Sequence, residues 1–269
     1  MIGQTHIKEW VSSHSVNMPT FIVLVGGRGS GKKMLAQLIA RTVGATFIQS
    51  DIKVDSVREV IDSAYSTGDR LLYCFGDADN MRAEAKNAML KVTEEPPKNK
   101  FFVLTVVDES SLLDTIKSRA FVFNMEPYSD SELEEYYNSK YGEGCFNYCS
   151  MASTPYEVDM LVKYGYDFID YVNLVIDNIS EVEPANAFKS GTKLAMKNEE
   201  DKYDLGLFWR IFIELLVKKL SNNVDINEAS RISKGISLTS KYLNSVNKLG
   251  VNKQQLYDAW VFEIREVWY

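Results

Sequence analysis

The sequence predicts an α/β fold: a parallel sheet with helices on both faces in the first half, and helices alone in the rest. Three observations lead there. Five short apolar runs, Phe21–Val25, Ala45–Gln49, Leu71–Phe75, Phe101–Val107 and Ala120–Phe123, alternate with helical patterns, and strands alternating with helices build parallel sheets. The first run leads straight into a glycine loop, Gly26-Gly27-Arg28-Gly29-Ser30-Gly31-Lys32-Lys33. From about Asn178 onward the apolar spacing is helical throughout.

Taken in order, Ile2–Val11 reads as a short helix before the first strand. After the glycine loop, Met34–Val43 sets Leu35, Leu38, Ile39 and Thr42 on one face, and Val54–Tyr65 does the same with Val54, Val57, Val60, Ile61 and Ala64. Leu71–Phe75 is apolar enough to be buried on both faces and stops at Gly76-Asp77-Ala78-Asp79. Short acidic side chains then sit at the carboxyl edge of the sheet, where α/β proteins bind ligands. Asn80 is the expected cap of a helix carrying Met81, Ala85, Ala88, Met89 and Val92, which Pro96-Pro97 terminates. Glu126-Pro127-Tyr128-Ser129 marks a boundary, with Ser129 or Asp130 capping a helix over Glu132–Asn138. Helices follow over Pro155–Tyr164, Tyr166–Asp177, Tyr203–Leu220, Ile226–Leu249 and Val251–Tyr269.

The spacing of the glycine loop matches G-x-x-x-x-G-K, whose backbone N–H groups and following helix N-terminus cradle phosphate oxygens while the lysine adds a point charge. Gly26, Gly27, Arg28, Gly29, Ser30, Gly31, Lys32 and Lys33 are therefore the candidate nucleotide-binding residues. The position after the lysine is normally Ser or Thr, whose hydroxyl ligates Mg²⁺. Here it is Lys33, and a cation cannot ligate a metal.

Composition bounds the class. With 45% hydrophobic residues in 269, the chain can fill real cores. No apolar run approaches the ~18 residues of a membrane span, and MIGQTHIKEW lacks the basic-then-apolar pattern of a signal peptide, so a cytoplasmic setting is expected. Three cysteines, Cys74, Cys145 and Cys149, with two distant histidines, His6 and His14, give neither a disulfide framework nor a zinc site. Residues 1–126 hold 15 Lys and Arg against 15 Asp and Glu, while residues 127–269 hold 15 against 22. Any contact with nucleic acid is thus expected from the first half, because phosphate binding needs a basic surface.

Asn87-Ala88-Met89-Leu90-Lys91 followed by Glu94-Glu95-Pro96-Pro97 resembles the NALLK…EEPP signature of AAA+ sliding-clamp loader subunits, the DNA polymerase III gamma/tau and delta-prime type. Leu112–Ala120, with Ser118-Arg119, is similar to the LLPTIxSRC box of the same family; Asp114 stands for its proline and Ala120 for its cysteine. The resemblance implies an AAA+ P-loop domain over residues 1–126, a small helical lid over 127–177 and a helical collar over 178–269. It also implies that Arg119 is an arginine finger acting on a neighbour. The small zinc module of many bacterial members has no counterpart here, and the compact length suggests a phage-borne or otherwise streamlined relative.

In that family an aspartate holding Mg²⁺ and a glutamate that positions water stand eleven and ten residues before the signature asparagine. Here those positions are Gly76 and Asp77, so Asp77 is a shortened, degenerate acid; a register using Asp77 and Asp79 stays open at the cost of the spacing. The family's polar sensor falls on Val106 or Val107, and the lid arginine is missing from Ser153-Thr154-Pro155-Tyr156-Glu157. The resemblance therefore implies a delta-prime-like subunit that binds ATP or ADP weakly if at all, holds no Mg²⁺ or other metal, and supplies Arg119 in trans. The partners implied are other loader subunits, the sliding clamp, and primer-template DNA met through Arg58, Arg82 and Lys86, although those three also read as ordinary solvated charges. Two other readings stay open: an active AAA+ ATPase subunit of the same assembly, and an unrelated P-loop enzyme such as a small kinase. Lys33 and Gly76 argue against the first and the EEPP signature against the second.

Overall fold

The computed structural model describes residues 2–142, 149–178, 203–221, 225–246 and 250–268. Cys145, the stretch 179–202, Leu249 and Tyr269 lie outside these residues. The chain divides into two compact units, Met1–Cys149 with Ser153–Tyr156, and Ser150–Ala152 with Glu157–Tyr269.

The first unit is built on five parallel strands in the order β2-β3-β4-β1-β5: β1 (Phe21–Val25), β2 (Thr46–Ser50), β3 (Leu71–Phe75), β4 (Lys100–Val106) and β5 (Phe121–Asn124). α1 (Thr5–Ser13) precedes β1, α2 (Lys32–Thr42), α3 (Val54–Ser66), α4 (Ala83–Glu94) and the single turn α5 (Asp114–Lys117) run between the strands, and α6 (Asp130–Tyr141) follows β5. Alternate residues of a strand face opposite sides, and both sides are covered. Phe21, Val23, Tyr73, Phe75, Phe102 and Leu104 pack under α3, α4 and α5. Ile22, Leu24, Leu72, Cys74, Phe101 and Val103 pack under α1 and α2. This two-sided burial is why the central strands β1, β3 and β4 read as nearly continuous apolar runs, while the edge strands β2 and β5 are more exposed.

Most boundaries shift by one to three residues from expectation, and at α4 and at both ends of β4 the shift has a visible physical reason. Asn80 does not cap α4. Asp77 takes a left-handed φ of 51° and Ala78–Asn80 closes a 3₁₀ turn, so the helix starts later, with Arg82 at its N-cap. β4 starts one residue early, because the Lys100 side chain is fully buried and its ammonium donates to the carbonyls of Thr67 (2.8 Å) and Asp69 (2.6 Å). It also ends early, because the N–H of Val107 turns out of the ladder to the Asp79 carboxylate. At α6 the structure chooses Ser129, which forms a capping box with Glu132.

The second unit holds most of α7 (Pro155–Tyr164), whose first two residues group with the sheet unit, together with α8 (Tyr166–Asn178), α9 (Leu205–Leu220), α10 (Ile226–Leu243) and α11 (Lys253–Trp268). Its core is aromatic: Phe208 and Phe212 meet Trp260 edge-on, and the buried indole N–H of Trp260 donates to the Thr239 hydroxyl at 3.0 Å. Glu157 pairs with Arg210 at 2.8 Å. The apolar residues of two helices point inward, with Phe208, Ile211, Phe212 and Leu216 of α9 and Trp260 and Ile264 of α11 buried, while Leu215, Leu256 and Val267 are half-buried. Among the described residues no helix is long and apolar enough to cross a membrane.

Candidate functional site

The carboxyl ends of β1, β3 and β4 bring together the glycine loop, the acidic turn after β3 and the turn after β4. The loop continues the sheet at its root, where the Gly26 N–H donates to the Val106 carbonyl at 3.0 Å. It is then folded on itself, with the nearly buried Ser30 hydroxyl donating to the Gly27 carbonyl at 2.8 Å. The Lys32 ammonium rests on the first two loop carbonyls, Gly26 and Gly27, the second at 2.7 Å. Burial lowers the Lys32 pKa, and the charges of Asp77 and then Asp79 pull it back up. That cation is therefore held at the bend of the loop, where the first N–H groups of α2 are unpaired by helix geometry.

A strap of chain lies on this loop. Gly29 has φ +78°, and a Cβ there would come within 2.2 Å of the Tyr156 Cβ and 2.9 Å of the Thr154 hydroxyl, so only glycine fits beneath the strap. The Arg28 guanidinium sits 5.0 Å over the Tyr156 ring, and the Tyr128 hydroxyl donates to the Ser30 carbonyl at 3.1 Å. The stretch expected to carry a lid arginine thus brings a tyrosine and a threonine to the glycine loop.

The acidic turn is a brace. Both Asp79 oxygens accept the Val107 N–H (3.0 and 2.9 Å), and one also accepts the Asp108 N–H (3.2 Å) and the Ser111 hydroxyl (3.1 Å). Asp77 is exposed, and its N–H donates to the Thr105 hydroxyl at 3.2 Å. Gly76 faces Gln49, whose amide nitrogen would lie 3.2 Å from a Cβ placed there. Lys33 is exposed on the first turn of α2; burial pushes the neighbouring Cys74 thiol up to about 12, with the Lys33 charge pulling the other way. Thr105 was missed by sequence reasoning, which placed the polar group of β4 on Val106 or Val107. Its signal was a lone hydroxyl inside an apolar strand, one residue earlier.

The remaining candidates lie apart from the loop. Arg58 on α3 and Arg82 at the cap of α4 are exposed. Lys86 is turned inward: it is 9% exposed, and its ammonium donates to the Ser111 carbonyl at 2.6 Å. Arg119 follows α5, with one guanidinium nitrogen donating to the Thr115 carbonyl at 3.0 Å and the other 3.3 Å from the Glu94 carboxylate. The two motifs that carry the family resemblance therefore touch. Among the described residues no cluster of three or more His, Cys, Asp or Glu side chains gathers to hold a metal ion.

Comparison with known proteins agrees with this picture. Residues 45–129 match the family described as DNA polymerase III, delta subunit. The DNA polymerase III subunit gamma of Buchnera aphidicola (from Schizaphis graminum) is 28% identical over 166 residues, covering 49% of this chain and 46% of that one. The subunit delta' of Haemophilus influenzae is 37% identical over 94 residues, covering 34% and 28%. The matches thus span less than half the length of these relatives. Among solved structures, a Thermotoga maritima DNA polymerase III gamma subunit-related protein aligns over 96% of this chain and 98% of its own, with a TM-score of 0.52 and 16% identity. The RuvB Holliday junction branch migration motor of the same organism aligns over 97% and 88%, also at 0.52 and 16%. At that identity these likenesses show the fold alone. The chain shares the fold of these structures and is similar in sequence to the gamma and delta' subunits of DNA polymerase III.

Proposed function

We propose that this chain is a clamp-loader subunit that hydrolyses no ATP itself and lends Arg119 to a neighbouring ATPase. The observation that carries the reading is the placement of that arginine. Its guanidinium partners, Thr115 and Glu94, both lie outside the glycine loop, and its side chain is 39% exposed, so it is reachable from outside. A guanidinium stays charged and bonds two oxygens at once, which suits it to the charge that develops as a γ-phosphoryl group departs.

The chain's own loop fits a phosphate and not a metal. Lys32, which gives two of its three ammonium hydrogens to the Gly26 and Gly27 carbonyls, and the first N–H groups of α2, left unpaired by helix geometry, supply donors. At the metal positions stand a cation, Lys33, and a glycine, Gly76, while the Asp79 oxygens are engaged by N–H and hydroxyl donors. ATP or ADP is accordingly held weakly at most and without Mg²⁺, and no step of hydrolysis is assigned to these residues. Arg58 and Arg82 are the proposed contacts to primer-template DNA. The helices after residue 127 would serve as lid and collar, joining other loader subunits, and the assembly would act on a sliding clamp in the cytoplasm.

The test is reconstitution of the complex with its ATPase partners. Arg119→Ala is expected to leave assembly intact and slow DNA-stimulated ATP hydrolysis. The loss reaches on the order of 10³–10⁵ where a finger is essential, and less where other interfaces keep theirs. One observation favours a second reading, an active ATPase subunit: Lys32 is seated as a phosphate-binding lysine would be. A complex inactivated by Lys32→Ala and indifferent to Arg119→Ala would establish that reading instead.

A further inference from the structure

We propose that Glu94 is the positioning residue of the arginine finger, a role that rests on Arg119 acting in trans as just described. The Arg119 guanidinium has two anchors of different kinds. The Thr115 carbonyl, 3.0 Å away, belongs to the preceding turn and fixes the root of the side chain. The Glu94 carboxylate, 3.3 Å away, is reached across from α4 and fixes the tip. A free arginine side chain samples many rotamers, and two anchors remove most of them before any phosphate arrives. The rest of the five-donor fork is left for an incoming anion.

The support behind Glu94 is stiff. It is the last residue of α4, and that end is tied to α3 by the Tyr65 hydroxyl, which donates to the Glu95 carbonyl at 2.6 Å. Lys91, one turn back, lies 4.7 Å over the Tyr65 ring. Pro96 and Pro97 follow and prevent the helix from continuing. The carboxylate is therefore carried by the helix that holds the NALLK-like motif, and its place is set by the sheet rather than by a loose loop. The pair is also open enough to be used, with Arg119 39% and Glu94 56% exposed. An ion pair so exposed orients a side chain without locking it away from a stronger anionic partner.

The experiment is a double-mutant cycle in the reconstituted complex, read as kcat and KM for DNA-stimulated ATP hydrolysis. Glu94→Ala is expected to lower kcat by about two- to fivefold, the rate equivalent of an exposed ion pair, with KM unchanged. Glu94→Gln, whose amide oxygen still accepts from the guanidinium, should recover most of that loss. In an Arg119→Ala background Glu94→Ala should cost nothing further, since a residue that acts only through the arginine has nothing left to position. The same loss in both backgrounds would make Glu94 a merely structural residue, and a faster complex would make it a brake; either overturns the proposal while the finger reading survives. If Arg119→Ala alone has no effect, the finger reading fails first and the proposal with it.

Discussion

Replacing Asp79 by alanine decides whether its carboxylate braces the fold or is a spare metal ligand. Its oxygens hold three donors, the N–H groups of Val107 and Asp108 and the Ser111 hydroxyl, at 2.9–3.2 Å. A hydrogen bond to a charged group contributes ~1.5–3 kcal/mol when dry. Val107 is 49% exposed, so water recovers part of this and ~1 kcal/mol per donor is the fairer figure. The variant should then lose about 3 kcal/mol, a fall in melting temperature of roughly 6–12 °C for a domain of about 150 residues. Thermal melting of the full chain, with amide hydrogen exchange at Val107 and Asp108 as the local readout, measures both. Asp79→Asn should fall between, because its oxygen accepts while its amide faces other donors. Unchanged melting together with unchanged exchange would refute the brace and reopen the register in which Asp77 and Asp79 serve a metal.

Gly29→Ala should destabilise the chain by on the order of 1–3 kcal/mol, since a Cβ there strikes the Tyr156 Cβ at 2.2 Å; melting of the double variants checks this, because Gly29→Ala/Tyr156→Ala keeps the struck Cβ and should not recover, whereas Gly29→Ala/Tyr156→Gly removes it and should recover part of the loss. Arg82→Ala should shallow the salt dependence of DNA binding by the assembled complex by about one unit. Lys86→Ala should leave that slope alone and lower the melting temperature, because its ammonium is spent on Ser111 inside the chain; a filter-binding salt titration distinguishes the two. The hydroxyl of Tyr242, 2.6 Å from Glu263, lowers that carboxyl below its ordinary 4.5, with smaller help from Lys241. A depressed carboxylate contributes stability that is present above 4.5 and lost as the pH falls through its folded value. Tyr242→Phe should therefore flatten the acid limb of a stability-against-pH curve, by a modest amount because the carboxylate is half exposed.

What the sequence made legible was set locally. The strands could be read because both faces of the sheet are covered, and the Ser129 cap because its partner Glu132 is three residues away. The glycine loop could be read because its spacing lies in one short stretch between β1 and α2. The features that escaped depend on residues brought together from afar. Asn80 looked like a cap, yet Asp79 bonds a strand end 28 residues later and fixes a 3₁₀ turn before α4 can begin. Lys86 reads from the sequence as a DNA contact or a solvated charge, and Lys100 falls outside the expected strand, because nothing near them in the chain announces the carbonyls of Ser111, Thr67 and Asp69. Glu94 and Arg119 each belonged to a readable motif, but their contact exists only once α4 and α5 pack on the same side of the sheet.

The two inward-facing lysines bear on how this sequence can drift. Lys100 and Lys86 are both satisfied by main-chain oxygens rather than by acidic side chains. Every amino acid brings a carbonyl, so the residues at Thr67, Asp69 and Ser111 can exchange for others without withdrawing those acceptors. The lysines themselves have no such freedom, since a shorter chain falls short of the oxygens and an apolar one strands them. Substitution at these lysines should therefore leave no compensating change at the positions they touch. A search for paired mutations would pass over contacts that hold the ends of β4 and α4 in place.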